Sequence, residues 1–140
     1  MQAHPLTAQL SVSAQLSVDD ISAIAAQGFR SIVNNRPDDE APGQPANAEL
    51  KAAAEQAGLS WRHMPVVSGQ FTEEQVRSFA GALDELPGPV LAFCRSGTRC
   101  SALWALQAEG SVDAILATTR AAGYDLEMLR SWLERRGNAG

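Results

Sequence analysis

The chain has 140 residues, 45% of them hydrophobic and 19% charged, which is enough apolar mass for one core and leaves little room for a second. Eleven Lys and Arg against sixteen Asp and Glu give a net charge of −5, and an acidic chain lacks the basic face that general nucleic-acid binding needs. No apolar run approaches the roughly 18 residues of a membrane span, the start MQAHPLTAQLSVSAQ has no signal-peptide character, and two cysteines make no disulfide framework. The expectation is a single cytoplasmic domain, residues 1–140, with no nucleic-acid or membrane partner.

Strand and helix signals then alternate along the chain. Leu10-Ser11-Val12 alternates as a short strand, after a start around His4 that reads as frayed. Ser17 is an N-cap, with Asp19 and Asp20 in the first turn, where negative charge suits the helix dipole. Ile21, Ile24 and Ala25 supply the apolar face, and Gly28 ends the helix. Phe29 to Val33 is a strand. Asn34 to Pro45 holds three prolines and a glycine and is loop. Asn47 caps a helix that runs to about Ala57, and Trp61 to Val67 is the next strand.

Thr72 and Gln75 have capping-box spacing, and Val76, Phe79, Ala80 and Leu83 follow at helical intervals until Pro87-Gly88-Pro89. The wholly apolar run Val90-Leu91-Ala92-Phe93 suits a strand buried on both faces in the middle of a sheet. Helices are predicted over about Thr98–Glu109, Val112–Ala122 and Leu126–Arg136, with Ser111 and Asp125 as caps. This alternation predicts an α/β fold: one domain, a mostly parallel central sheet flanked by helices.

Chemistry is concentrated in Cys94-Arg95-Ser96-Gly97-Thr98-Arg99-Cys100, between the apolar strand and a helix. A thiol at the carboxyl end of a central strand sits where α/β sheets hold ligands. The first N–H groups of the following helix lack intrahelical partners, and Gly97 permits the bend that turns them inward as an anion-binding nest, with Ser96 and Thr98 beside it. Such surroundings bring a cysteine pKa from about 8.5 to roughly 3.5–7.5. Cys94 is therefore the candidate nucleophile, and Arg99 the group that forks onto a bound anion. Arg95 either attracts the substrate from the rim or is a solvated charge.

Cys100 either resolves an oxidised Cys94 as a disulfide or is a small buried residue on the first helical turn. Arg36, on a loop after a strand of the same sheet, is a candidate for anion binding, and Asp38 or Glu40 for orienting an arginine. Asn34 and Asp38 have a simpler reading as turn-forming residues around Pro37. The two histidines form no metal cluster, and His63 reads as structural. Trp104 and Trp132 read as core, and Glu134-Arg135-Arg136 as a solvated helix end. No cofactor or metal is called for.

The strand–Cys–loop–Arg–helix order resembles the sites of both protein tyrosine phosphatases and rhodanese sulfurtransferases. The phosphatase signature places five residues between Cys and Arg; here there are four, as in single-domain rhodaneses. A wider set of segments resembles the phosphatase-like domain of β-lactamase-hydrolase-like proteins. They are Leu10 to Ser13, Gly28 to Ile32, Asn34 to Glu40, Pro65-Val66, Cys94 to Arg99 and Trp104, spread over residues 8–109. That resemblance implies a dual-specificity-phosphatase-like fold. It also implies sulfane-sulfur handling, because family members often accompany persulfide dioxygenases and sulfide-oxidising enzymes.

Two departures from the phosphatase pattern stand out. Phe93 replaces the usual histidine before the cysteine, and Val66 to Gln70 has no general-acid aspartate. Loss of an acid forfeits roughly 100- to 10,000-fold in ester hydrolysis, whereas sulfur transfer releases a stable anion without one. The leading expectation is therefore a sulfurtransferase carrying sulfane sulfur as a Cys94 persulfide. Its partners would be a small anionic donor, thiosulfate or a persulfide, and a thiol acceptor. The alternatives are a small cysteine-dependent phosphatase working through phospho-Cys94, and a non-catalytic redox or partner-binding module.

Overall fold

The computed structural model describes residues 1–139, with side chains described to Arg136. Its strands are β1 (His4–Pro5), β2 (Leu10–Ser13), β3 (Ser31–Asn34), β4 (Ser60–His63) and β5 (Val90–Phe93). Its helices are α1 (Val18–Ala26), α2 (Asn47–Gln56), α3 (Glu73–Glu85), α4 (Thr98–Gln107), α5 (Val112–Ala121) and α6 (Arg130–Ala139), with a single 3₁₀ turn at Glu127–Leu129. The strands form one sheet in the order β1-β2-β5-β3-β4. All neighbours pair in parallel except β1, which runs antiparallel to β2. The fold is the expected α/β domain with a mostly parallel sheet.

Strand β5 is central because all four of its residues are apolar and can be buried on both faces. Alternation along the strands sends Ile32, Leu91 and Phe93 to one face, against Ile21 and Ile24 of α1 and Leu50 and Ala54 of α2. Val12, Val33, Val90 and Ala92 go to the other, against Val76 and Phe79 of α3 and Leu103 and Leu106 of α4. Helix α4 is buried from both sides, since Ala102 and Ala105 turn outward onto Ile115, Leu116 and Leu133 of α5 and α6. Leu91 pairs with Ser11 and Ile32, and Phe93 with Ser13 and Asn34, so the strands finish level and Cys94 emerges mid-edge. Among the described residues no helix is long and apolar enough to cross a membrane.

The local capping signals are realised. Ser17 with Asp20 and Thr72 with Gln75 form reciprocal capping boxes, and Ser111 accepts from the N–H of Ala114. Asp125 accepts from the N–H of Glu127 at 3.0 Å. Other boundaries differ from the sequence reading. Residues around His4 form an edge strand, and the His4 ring meets Tyr124 edge-on at 5.9 Å. The strand after Ser60 ends at His63 instead of reaching Val67, because Pro65 has no N–H to pair. Its neighbours Met64 and Val66 still donate to Asn34 and Asn35 carbonyls, at 2.8 and 2.9 Å. Arg136 is not a solvated end group: it donates to the Leu106 carbonyl at 2.8 Å and lies over the Trp132 ring, tying α6 to the end of α4.

Asn47 has a different task from capping. It is the first residue of α2, and its N–H is capped by Asp38 Oδ1 at 2.8 Å. That frees Asn47 Oδ1 to accept from Asn34 Nδ2 at 3.1 Å and Trp61 Nε1 at 2.9 Å, joining α2 to the ends of β3 and β4. Replacing Asn47 by alanine strands two half-buried donors at once. The expected cost is about 2–3 kcal/mol, to be read as a lower urea midpoint at unchanged m-value.

Candidate active site

Four loops meet at the carboxyl edge of the sheet: those after β2, β3, β4 and β5. The loop after β5 turns directly into α4 and is anchored to its neighbour by Gln15 N–H, which donates to the Arg95 carbonyl at 3.2 Å. Gly97 makes the turn at φ +97°, a conformation side chains rarely adopt. There is no space for one either, since an added Cβ would lie 2.2 Å from the Tyr124 hydroxyl. That hydroxyl donates to the Ser96 carbonyl at 3.0 Å. Ser101 Oγ donates to the Gly97 carbonyl at 2.8 Å, and the Ser96 and Thr98 hydroxyls lie 2.9 Å apart. The loop is braced from both sides.

Cys94 lies at the floor of this turn, only 1% exposed, and its Sγ accepts from the Gly97 N–H at 3.1 Å. Its pKa is lowered to about 5. Hydrogen bonding from the Cys100 thiol is the largest influence; burial opposes it, and the N–H groups of Cys100, Gly97 and Arg99 add to the lowering. Both cysteines are free and buried. The Cys100 thiol is itself pushed well up, chiefly by burial, so it stays protonated and serves as a donor. Cys100 is buried on the first helical turn, where its thiol steadies Cys94.

Arg99 and Arg36 share one carboxylate. Arg99 forks onto Glu40, NH1 to Oε2 and NH2 to Oε1, both at 2.8 Å, and NH1 also donates to the Val66 carbonyl at 2.9 Å. Arg36 Nε donates to Glu40 Oε1 at 2.8 Å, and its NH1 to Gln15 Oε1 at 3.0 Å. Arg99, chiefly through its bonds to Glu40, holds the carboxyl at about 2, with Arg36 adding to it against burial. Arg99 is raised in turn, first by Glu40, with the Cys94 anion among the other causes. Three of the five guanidinium donors are committed to Glu40 and Val66, leaving the rest for the sulfur or an anion above it.

The resulting cleft has a volume of about 630 Å³ and is lined by Arg36, Arg95 and Arg99, the hydroxyl residues Ser68, Ser96 and Thr98, and Glu40. The structure thus brings together the candidates Cys94, Arg99, Arg95, Ser96, Gly97, Thr98, Arg36 and Cys100. It also settles which acid orients an arginine: Glu40 does, while Asp38 caps α2. His63 accordingly has a structural bond, its Nε2 lying 3.0 Å from the Arg36 carbonyl oxygen. Tyr124 and Ser68 were not anticipated. Tyr124 is the chain's one tyrosine, and it reaches the loop from 28 residues away, so no local pattern marks it. Among the described residues Glu40 is the one carboxylate lining the cleft, and it is an anion clamped by two cations.

The sequence model of the phosphatase-like domain of β-lactamase hydrolase-like proteins matches residues 3–111. The chain belongs to that family. A β-lactamase hydrolase-like protein of Agrobacterium fabrum is 37% identical over 143 aligned positions, covering 99% of this chain and 33% of the relative. The chain therefore spans about a third of the length of the curated relatives it matches. The crystal structure of a candidate phosphatase from Neisseria meningitidis superposes with a TM-score of 0.86 at 38% identity, over 94% of this chain and 95% of that one. Tk-PTP in its active form shares the fold at 18% identity, with a TM-score of 0.67 over 96% and 94% of the two chains. The domain has a protein-tyrosine/dual-specificity-phosphatase-like fold built around a cysteine. These likenesses side with the phosphatase alternative and lend nothing to the rhodanese-type, sulfur-carrying expectation.

Two predictions test the electrostatics. The ultraviolet absorbance of the thiolate, taken as the difference from Cys94→Ser, should titrate with a midpoint near 5. Cys100→Ala should move that midpoint upward by about one unit or more, because a donor to the anion is gone. Glu40 contributes stability fully above its ordinary value of 4.5, and that contribution is lost as pH falls toward about 2. Glu40→Gln should therefore flatten the acid limb of the stability profile. At pH 7 it should cost about 3 kcal/mol by taking from two buried guanidinium groups the carboxylate they share, measurable by urea denaturation.

Proposed function

We propose that the domain is a cysteine-dependent phosphate hydrolase working through a phospho-Cys94 intermediate. The observation that carries this reading is the placement of a stabilised Cys94 anion under an arginine-lined cleft, within the fold of cysteine phosphatases. Cys94 Sγ attacks phosphorus, the bond to the leaving oxygen breaks, and that oxygen departs with the electron pair. The N–H groups of the turn and the uncommitted donors of Arg99 hold the equatorial oxygens, whose charge is spread in a loose transition state. Water then attacks phospho-Cys94, the S–P bond breaks, and the thiolate returns as orthophosphate leaves. Against the cost of burial, the Cys100 thiol and the fixed N–H dipoles of the turn keep the anion ready between cycles without a neighbouring base.

Sulfur transfer remains a second reading for one specific reason: four residues, not five, separate Cys94 from Arg99. A shorter turn makes a smaller cradle, and a persulfide is smaller than a phosphoryl group. Thiosulfate or a persulfide would then be the donor and a thiol the acceptor, with a persulfide dioxygenase or sulfide-oxidising enzyme as a partner.

Acid-quenched mass spectrometry separates the two. With p-nitrophenyl phosphate the wild-type protein should release p-nitrophenol and carry one phosphoryl group on Cys94. Cys94→Ser should lower turnover by about 1,000-fold or more. One added sulfur atom from thiosulfate, with no phosphoryl adduct and no release of p-nitrophenol, would replace the hydrolase reading by the sulfur one.

A further inference from the structure

Resting on the hydrolase reading, we propose that the substrate is a phosphoanhydride, whose leaving group is itself a phosphate received by Arg95 at the rim of the cleft. Two features of the cleft support this, one negative and one positive.

The first is the lack of a proton donor. Glu40 is the one carboxylate lining the cleft among the described residues, and both of its oxygens already accept from guanidinium groups. Val66 to Gln70 supplies a carbonyl to Arg99 and the hydroxyl residue Ser68, but no acid. An alkyl phosphate needs a proton on its departing alkoxide, and without a donor that step loses roughly 100- to 10,000-fold. A departing phosphate is already a stable anion and needs none. In the transfer to Cys94 the S–P bond forms as the bridging P–O bond breaks, and the released phosphate keeps the bonding electrons. No proton has to arrive.

The second is surplus positive charge beyond the nucleophile. Arg99 and Arg36 are neutralised in part by Glu40, but Arg95 is exposed and has no ion pair among the described residues. It stands one residue after Cys94 and lines the same cleft as the Ser96 and Thr98 hydroxyls. Three arginines against Glu40 and the Cys94 anion leave the site with one net positive charge, which falls at this rim. An uncharged leaving group gains little there. A phosphate gains a charge-assisted bond in the ground state and a stronger one as its charge grows during P–O cleavage.

Three substrates in EDTA test this: tripolyphosphate, p-nitrophenyl phosphate and β-glycerophosphate. The expected kcat/KM for tripolyphosphate exceeds that for β-glycerophosphate by about 100-fold or more. Arg95→Ala should lower the ratio of kcat/KM for tripolyphosphate to that for p-nitrophenyl phosphate by about 10-fold or more. Cys94-dependent hydrolysis of p-nitrophenyl phosphate without turnover of tripolyphosphate would overturn the substrate assignment and leave the hydrolase reading standing. An Arg95→Ala ratio equal to wild type would also overturn it. If no phosphate compound is turned over, both fall together.

Discussion

Two buried guanidinium groups share one carboxylate, and the working geometry of the domain depends on that sharing. Arg36 comes from the loop after β3 and Arg99 from the first turn of α4, and the two would repel each other in a buried setting. Glu40 lies between them, with three charge-assisted bonds at 2.8 Å. The chain reaches this arrangement through a loop that is itself pinned: Gln44 donates to the Pro37 carbonyl at 2.9 Å and accepts from the Glu40 N–H at 3.1 Å. The loop after β3 is thereby clamped to the first turn of α4, and Arg99 is oriented before any substrate arrives. Preorganisation of this kind is where most electrostatic catalysis comes from, because the dipoles need not rearrange during the reaction.

The Cys94 anion depends on the same clamp, through a second layer. A buried sulfur anion is disfavoured by desolvation unless donors surround it. Here the donors are the N–H groups of a turn closed by Gly97, the Cys100 thiol and the Arg99 side chain. Tyr124 locks that turn over Gly97 and is itself raised in pKa, first by burial and then by the Cys94 anion. Helices α5 and α6 therefore do more than cover α4. Packed on its outer face, they set where the tyrosine at the end of α5 can reach.

What the sequence made legible was whatever is encoded locally. Capping boxes at Ser17 and Thr72 are written within four residues, the apolar run at Val90 states its own burial, and the Cys94–Arg99 loop is contiguous. What it hid was non-local. Asp38 caps α2 from nine residues away, Tyr124 reaches Ser96 from 28 residues away, and β1 exists only because β2 is there to pair with it. Glu40 lay between: its neighbourhood suggested an arginine partner, but only the fold shows that it serves two. The choice between sulfur and phosphate also turned on what is not local. The short loop and the missing acid, both local, point to sulfur, while the fold that surrounds the loop is phosphatase-like.

The missing acid and the phosphatase fold are compatible once the leaving group is considered. A general acid matters in proportion to how poor the leaving group is without its proton. On the hydrolase reading proposed above, a site lacking one would be selective by omission, ineffective on alkoxide-releasing substrates and unimpaired on those that release a stable anion. The Glu40 clamp reinforces that selectivity. Two arginines hold its carboxylate ionised, and both of its oxygens already accept, so Glu40 has no proton to donate into the cleft. Orienting Arg99 and withholding a proton are two consequences of the same three hydrogen bonds.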